Sequence, residues 1–219
     1  MANQQALKQT VIQARKDVKK RNFSQSFELI VSFKDLDLKK QPLNLNEIVR
    51  LPNNFGKIPK ICVFASGDLA LRAEKVGVDD LFNEDELNVL SSQKRDVKKL
   101  SRKHDFFLAE SKFMVNIGKL LGSQLGPLGK MPTPLPPNAP IEDFIKRFRS
   151  SVRIKCKNVN VISCKIGDES MTDDQVIENS STILDFIEGK LPLGSKNLKD
   201  IYIKLSMSNV THLKEEKKK

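Results

Sequence analysis

The sequence predicts a chain of two domains in which α+β and α/β architecture are combined. An α+β domain is built from both chain ends, and an α/β domain of three-layer type is inserted into it. Three observations predict this. Apolar and polar positions alternate, as in half-buried strands, near both termini. The middle of the chain instead carries short unbroken apolar runs separated by helical periodicity. The change of pattern falls near Asn53–Gly56 and again near Arg149–Ser151. The expected boundaries are 1–54 with 151–219 for the discontinuous domain and 55–150 for the insert.

Gln4 to Lys20 reads as an amphipathic helix, with Leu7, Val11, Ala14 and Val18 along one side, and Arg21-Asn22 ends it. In Ser26 to Phe33, residues Phe27, Leu29, Val31 and Phe33 face one way and Ser26, Glu28, Ile30 and Ser32 the other. Leu45 to Leu51 reads as a second strand, closed by the Pro52–Gly56 turn. Lys60 to Ser66 is an apolar run of the kind buried in a parallel sheet, and a helix follows to Val76. Asn83–Ser92 and Gln93–Lys103 read as helices, Asp105–Glu110 as a buried strand, and Ser111 as the cap of a helix reaching about Leu125. Ile141–Arg149 is helical. Val152–Lys157 and Val159–Ile166 are strands joined near Asn158. Thr172 and Gln175 form a capping box for a helix ending near Gly189, and Leu198–Met207 is a long strand.

Composition narrows the function. The chain has 219 residues, 38 Lys/Arg against 27 Asp/Glu, and a net charge of +11. A surplus of this kind suits a polyanion partner, because each phosphate contact releases condensed counterions. The surplus is +5 over 1–54, +4 over 55–150 and +2 over 151–219, so no block is purely basic. No apolar run nears the ~18–20 residues of a membrane span, and the N-terminus lacks a signal-peptide layout, so a cytoplasmic location is expected. Cys62, Cys156 and Cys164 are odd in number and lie in apolar stretches, which argues against a disulfide framework. His104 and His212 have neither a metal-ligand spacing nor a neighbouring nucleophile; His104 is expected on a solvated helix end and His212 near the tail. Asp79-Asp80 and Asp173-Asp174 are placed at helix starts, where they complement the dipole. An enzyme, a metal site and a cofactor are therefore not expected.

Six of the ten prolines lie between Pro127 and Pro140. Proline fixes φ and removes a donor, so neither helix nor central strand is expected from Gly126 to about Asn138. Gly122-to-Lys130 superficially resembles a nucleotide-cradling loop, but Gln124 and Met131 stand where a glycine and the magnesium-holding hydroxyl are needed. Gly126-Pro-Leu-Gly129 also fits a nucleic-acid-clamping GxxG loop, although Pro132 and Pro134 preclude the helix that should follow. Backbone amides near Lys130 are expected to remain open to phosphate. The run Lys94–Lys103 holds six positive charges and one negative and is read as a solvated helix face.

Arg21–Glu28, the segment Gly118–Ala139 with its Leu-Gly-Pro-Leu-Gly-Lys-Met-Pro core, and Tyr202–Met207 together resemble the L-one family, the large-subunit ribosomal protein of the mobile side stalk. Asp105–Glu110 and the Lys-rich tail bring the chain nearest the archaeal branch. The resemblance implies a structural constituent of the large ribosomal subunit that binds large-subunit rRNA near the tRNA exit site. Deacylated tRNA, the chain's own mRNA and other ribosomal components are implied as further partners, with repression of its own translation. The alternative is a general nucleic-acid-binding module or protein scaffold without a ribosomal role.

By motif, the resemblance assigns RNA binding to Phe23, Ser26, Glu28, Ser206, Met207 and Ser208, joined by Lys155, Lys157, Ser163, Lys165, Tyr202 and Lys204. Glu28 would accept hydrogen bonds from ribose hydroxyls or base amines, and Met207 would supply apolar contact. Residue type alone, without the resemblance, favours Phe23 and Met207 as small-core residues. Asn54, Phe55, Ser150 and Ser151 are the expected hinge. Family members commonly read Thr-Met-Gly-Pro where this chain reads Ser206-Met-Ser-Asn209, and Asp-Lys where Asn158-Val159 stands.

Overall fold

The computed structural model describes residues 4–35, 44–92, 94–136, 140–157 and 159–213. Asn158, the end of the proline-rich loop at 137–139 and the tail from 214 lie outside the described residues. The chain divides into two compact units, 1–57 with 150–219, and 58–149.

In the first unit, helix α1 (Gln4–Lys16) buries Leu7, Thr10, Val11 and Ala14. It stops four residues short of the expected Lys20. Strand β1 (Ser26–Phe33) alternates as its sequence requires, with Phe27, Leu29, Val31 and Phe33 buried. Strands β2 (Asn44–Arg50) and β7 (Ser151–Lys157) form a separate antiparallel pair. Strand β8 (Val161–Asp168) follows β7 directly but pairs with β1 instead. Helix α8 (Asp173–Lys190) starts at the Thr172–Gln175 capping box, with Asp173 and Asp174 in its first turn as expected. Strand β9 (Leu198–Leu205) and the short β10 (Thr211–His212), which the sequence did not reveal, complete a sheet of order β10-β9-β1-β8. Every pairing in it is antiparallel. One face carries Phe27, Leu29, Val31, Ile162, Cys164, Ile166, Ile201, Ile203 and Leu205 into a core shared with α1 and α8. On the opposite face Glu28, Ile30, Lys165, Tyr202 and Lys204 are half-buried and Ser163 is exposed, and this more accessible side is called the open face.

The second unit is an all-parallel sheet of order β4-β3-β5-β6. Its strands are β3 (Ile61–Phe64), β4 (Asp80–Phe82), β5 (Phe106–Glu110) and β6 (Thr133–Leu135). Every residue of β3 and β5 is buried, as strands covered on both faces demand. Cys62, Phe64, Phe107 and Ala109 pack with α3 (Glu84–Ser92), α4 (Lys94–Lys103), α5 (Met114–Leu120) and α6 (Gly122–Leu128). On the other side stand α2 (Gly67–Val76) and α7 (Ile141–Arg149), where Phe148 meets Phe106 edge-on at 5.2 Å. This is the expected three-layer arrangement.

Several local expectations are corrected. Helix α6 includes Gly126 and Pro127, because the amide that Pro127 lacks would have served only the last turn of a short helix. Pro134 sits in β6, an edge strand, where a missing donor is tolerated. Ser111 caps no helix: a 3-10 turn covers Ser111–Phe113, and the Ser111 hydroxyl donates to Leu135 O at 3.2 Å. Asp79 and Asp80 are at a strand, not a helix start. Asp79 accepts from Ile61 N at 2.9 Å, and Asp80 lies in β4. His104 is fully buried rather than solvated, edge-on to Phe107, because the end of α4 turns inward to start β5.

Candidate nucleic-acid interface

The open face of the β10-β9-β1-β8 sheet reads in rows. His212, Tyr202, Ile30 and Ser163 form one row. Lys204, Glu28 and Lys165 form the next, a carboxylate between two ammonium-bearing strands. At the near end stand Ser206, Ser26 and Asp168. Ser206 N donates to Ser26 O at 3.1 Å and Ser26 N donates to the Ser206 hydroxyl at 3.2 Å, so the two chain ends are stitched at this corner.

The corner has a buried support. Gln25, 1% exposed, accepts from Met207 N through Oε1 at 3.1 Å, and its own N donates to Glu169 Oε2 at 3.0 Å. Arg15 on α1 donates from its three nitrogens to Asp173 Oδ1, Glu169 O and Met171 O, each at 2.8 Å, and lies over the Phe27 ring. Gln25, two residues after Phe23, thus ties the segment before β1 to the Met207 backbone after β9, and Arg15 braces the 169–173 segment that Gln25 also bonds. Phe23 is 54% exposed and Met207 61%, which rules out the reading of either as core.

Asp168 was missed by sequence reasoning. A bulge between Phe27 and Glu28 in the β1–β8 register brings it to the same side of the sheet as Lys165, opposite Ser26, where it stays buried. There it takes Lys165 Nζ at 2.5 Å, the Ser26 hydroxyl at 3.4 Å and Lys57 N at 3.2 Å. Gly167 sits in the bulge, and a Cβ there would lie 2.9 Å from Val176 Cγ2. A glycine interrupting a strand pattern was the available signal. Lys165, also 4.6 Å from the Phe55 ring centroid, is thus a fixed charge rather than a mobile one.

Ser208 closes a turn. Its N donates to Leu205 O at 3.0 Å and its hydroxyl accepts from Leu205 N at 2.8 Å. Among the described non-glycine residues only Asp35 has positive φ, so no left-handed backbone at 208 calls for a glycine. Lys155 and Lys157 are exposed but belong to the β2–β7 pair, outside the four-stranded sheet. Of the expected hinge, Phe55 and Ser151 are buried, and Leu51 N donates to Ser150 O at 2.7 Å. Asn54 follows Asn53, whose N donates to Asn179 Oδ1 at 3.0 Å. The chain passes between the units at Lys57–Ile58 and Arg149–Ser150.

The loop near Lys130 does not offer free amides. Gly129, at φ 68°, ends α6 in a left-handed cap; its N donates to Gly126 O, and Lys130 N donates to Leu125 O. The Lys130 ammonium donates to Ser101 O at 2.9 Å and His104 O at 2.7 Å. Among the described residues no cluster of His, Cys, Asp and Glu could hold a metal ion, and no helix is long and apolar enough to cross a membrane.

Residues 14–209 match the ribosomal protein L1p/L10e family. Large ribosomal subunit protein uL1 of Cenarchaeum symbiosum is 44% identical over 200 residues, covering 91% of this chain and 92% of that one. Its counterpart in Thermofilum pendens is 41% identical, covering 97% and 93%. That of Methanocaldococcus jannaschii is 38% identical, covering 99% of each. The resemblance read from the sequence and the non-enzymatic reading therefore both stand. The chain belongs to the ribosomal protein L1p/L10e family, a family of structural ribosomal proteins, and is of its archaeal type.

Proposed function

We propose that this chain is a structural part of the large ribosomal subunit in the cytoplasm and binds large-subunit rRNA through the open sheet face and the adjoining Phe23–Met207 corner. The observation that carries the reading is two large apolar side chains held in solvent beside a polar sheet face, with the Met207 backbone held by buried Gln25. Exposed apolar groups on a rigid mount suit sugars and bases, while Ser26, Glu28, Tyr202 and Ser163 supply donors and acceptors for 2′-hydroxyls. Lys204, Lys155 and Lys157 supply charge toward phosphate. In this reading the unit built from both chain ends is the RNA-binding domain, and the two crossings form a double hinge for the insert.

Family membership supports two finer roles for this surface. The first is contact with deacylated tRNA at the exit site. The second is binding of a similar fold in the chain's own messenger RNA, which would repress translation. Filter binding to transcribed large-subunit rRNA tests the central claim, with small-subunit rRNA as competitor. Preferential retention that weakens steeply as salt rises is expected. Retention without preference, or without salt dependence, would rule the reading out in favour of a general nucleic-acid module or a protein scaffold.

A further inference from the structure

We propose that the exposed side of α4 is a second RNA contact, gripping phosphate backbone through Arg95, Lys98 and Arg102. It lies on the unit formed by 58–149 and does not depend on the sheet face.

The charge distribution motivates it. Residues 58–149 hold 15 Lys/Arg and 12 Asp/Glu, yet α4 alone holds six and one, leaving the rest of the unit at nine against eleven. A surplus serving only solubility has no need to sit on one ten-residue helix. Arg95, Lys98 and Arg102 are spaced i, i+3, i+7 and so share one side of the helix. All three are exposed, and among the described residues none has an ion pair or side-chain hydrogen bond. Their neighbours differ: Lys99 is paired with Asp96 at 3.0 Å and Lys103 with Asp80 at 2.6 Å.

The helix is also firmly mounted. Val97, Leu100 and Ser101 are buried on its opposite side. Its C-terminal carbonyls, which would repel phosphate, are partly covered by the Lys130 ammonium on Ser101 O and His104 O. The exposed side carries no aromatic or aliphatic anchor: Arg95, Lys98, Lys99, Arg102 and Lys103 make it up. Without stacking groups it would hold the backbone and not read bases. Without apolar groups beside the cations it does not fit a lipid surface.

The test uses the full chain and a transcribed large-subunit rRNA in filter binding across a salt series. One variant carries Arg95→Gln, Lys98→Gln and Arg102→Gln. A control carries Lys60→Gln, Lys75→Gln and Lys119→Gln, three exposed cations scattered over the same unit. The α4 variant should flatten the log affinity against log salt slope by about two and lose about tenfold in affinity at low salt, given roughly 0.7–0.9 per phosphate contact. The control should lose less than half as much slope. Equal losses in the two variants, or an α4 variant matching the parent, overturn the proposal. A Phe23→Ala, Met207→Ala chain run in parallel separates it from the sheet-face reading, since either can fail while the other survives.

Discussion

Lys165 and Asp168 stand three residues apart on one strand, yet their charged ends meet at 2.5 Å on the same face of the sheet. In a regular strand residues i and i+3 point to opposite faces. The bulge at Phe27/Glu28 removes that alternation, and Gly167 makes it possible by leaving room for Val176. Asp168 thereby becomes a junction between the open face, through Ser26, and the chain leaving for the insert, through Lys57 N.

Asp168→Asn should therefore destabilise the chain by about 1–3 kcal/mol, since the amide keeps one acceptor oxygen and sets an NH2 against a donor that the buried carboxylate served. Lys165→Met should cost less, because Ser26 and Lys57 continue to serve the carboxylate. Urea denaturation of both variants gives the order. The reverse ranking would contradict the junction role.

Replacing Phe23 and Met207 together by alanine should leave the melting temperature within a degree or two, as expected of substitutions at solvent-exposed positions. Their loss should weaken rRNA binding by about 1 kcal/mol or more, the size expected for interface anchors. A filter-binding titration beside a thermal melt reads both. Unchanged affinity would remove this corner from the interface.

His104 supplies a pH prediction. Burial pushes its imidazole below the usual range, outweighing the Leu100 carbonyl and the Asp80 carboxylate, which both favour the proton. The unfolded chain then binds a proton that the native ring refuses. Stability from this group is complete above about pH 6.5 and falls as the pH drops below that value. The stability margin of the parent over His104→Gln, which cannot titrate, should narrow on acidification. A margin constant with pH in urea titrations would contradict it.

Lys130 is structural. Lys130→Met should remove two hydrogen bonds from buried carbonyls at the end of α4 and cost about 1–3 kcal/mol. Its rRNA affinity, measured while folded, should change far less than that of the α4 variant. A large affinity loss at unchanged stability would instead restore a phosphate-binding role.

The thiols should be silent. Cys62, Cys156 and Cys164 are free and buried, and burial raises all three, Cys164 to about 12. A thiol reagent near neutral pH should label none in the native chain and all three after denaturation. Rapid native labelling of Cys164 would mean that the core face of β8 opens.

What the sequence determined by itself was periodicity and its consequences. The alternation of Ser26–Phe33 dictated which side of β1 would be buried, and the apolar runs of β3 and β5 dictated a covered parallel sheet. Thr172 and Gln175 specified their helix start from four residues alone. These features are local, set by backbone geometry and side-chain character within a few positions. Partnership is not local. Only the tertiary structure decided that β8 leaves its chain neighbour β7 for β1, that Asp168 joins Lys165 on one side of the sheet, that His104 goes inward and that Lys130 serves carbonyls rather than phosphate. Each outcome depends on which distant group satisfies a buried donor, acceptor or apolar surface, and no spacing along the chain records that.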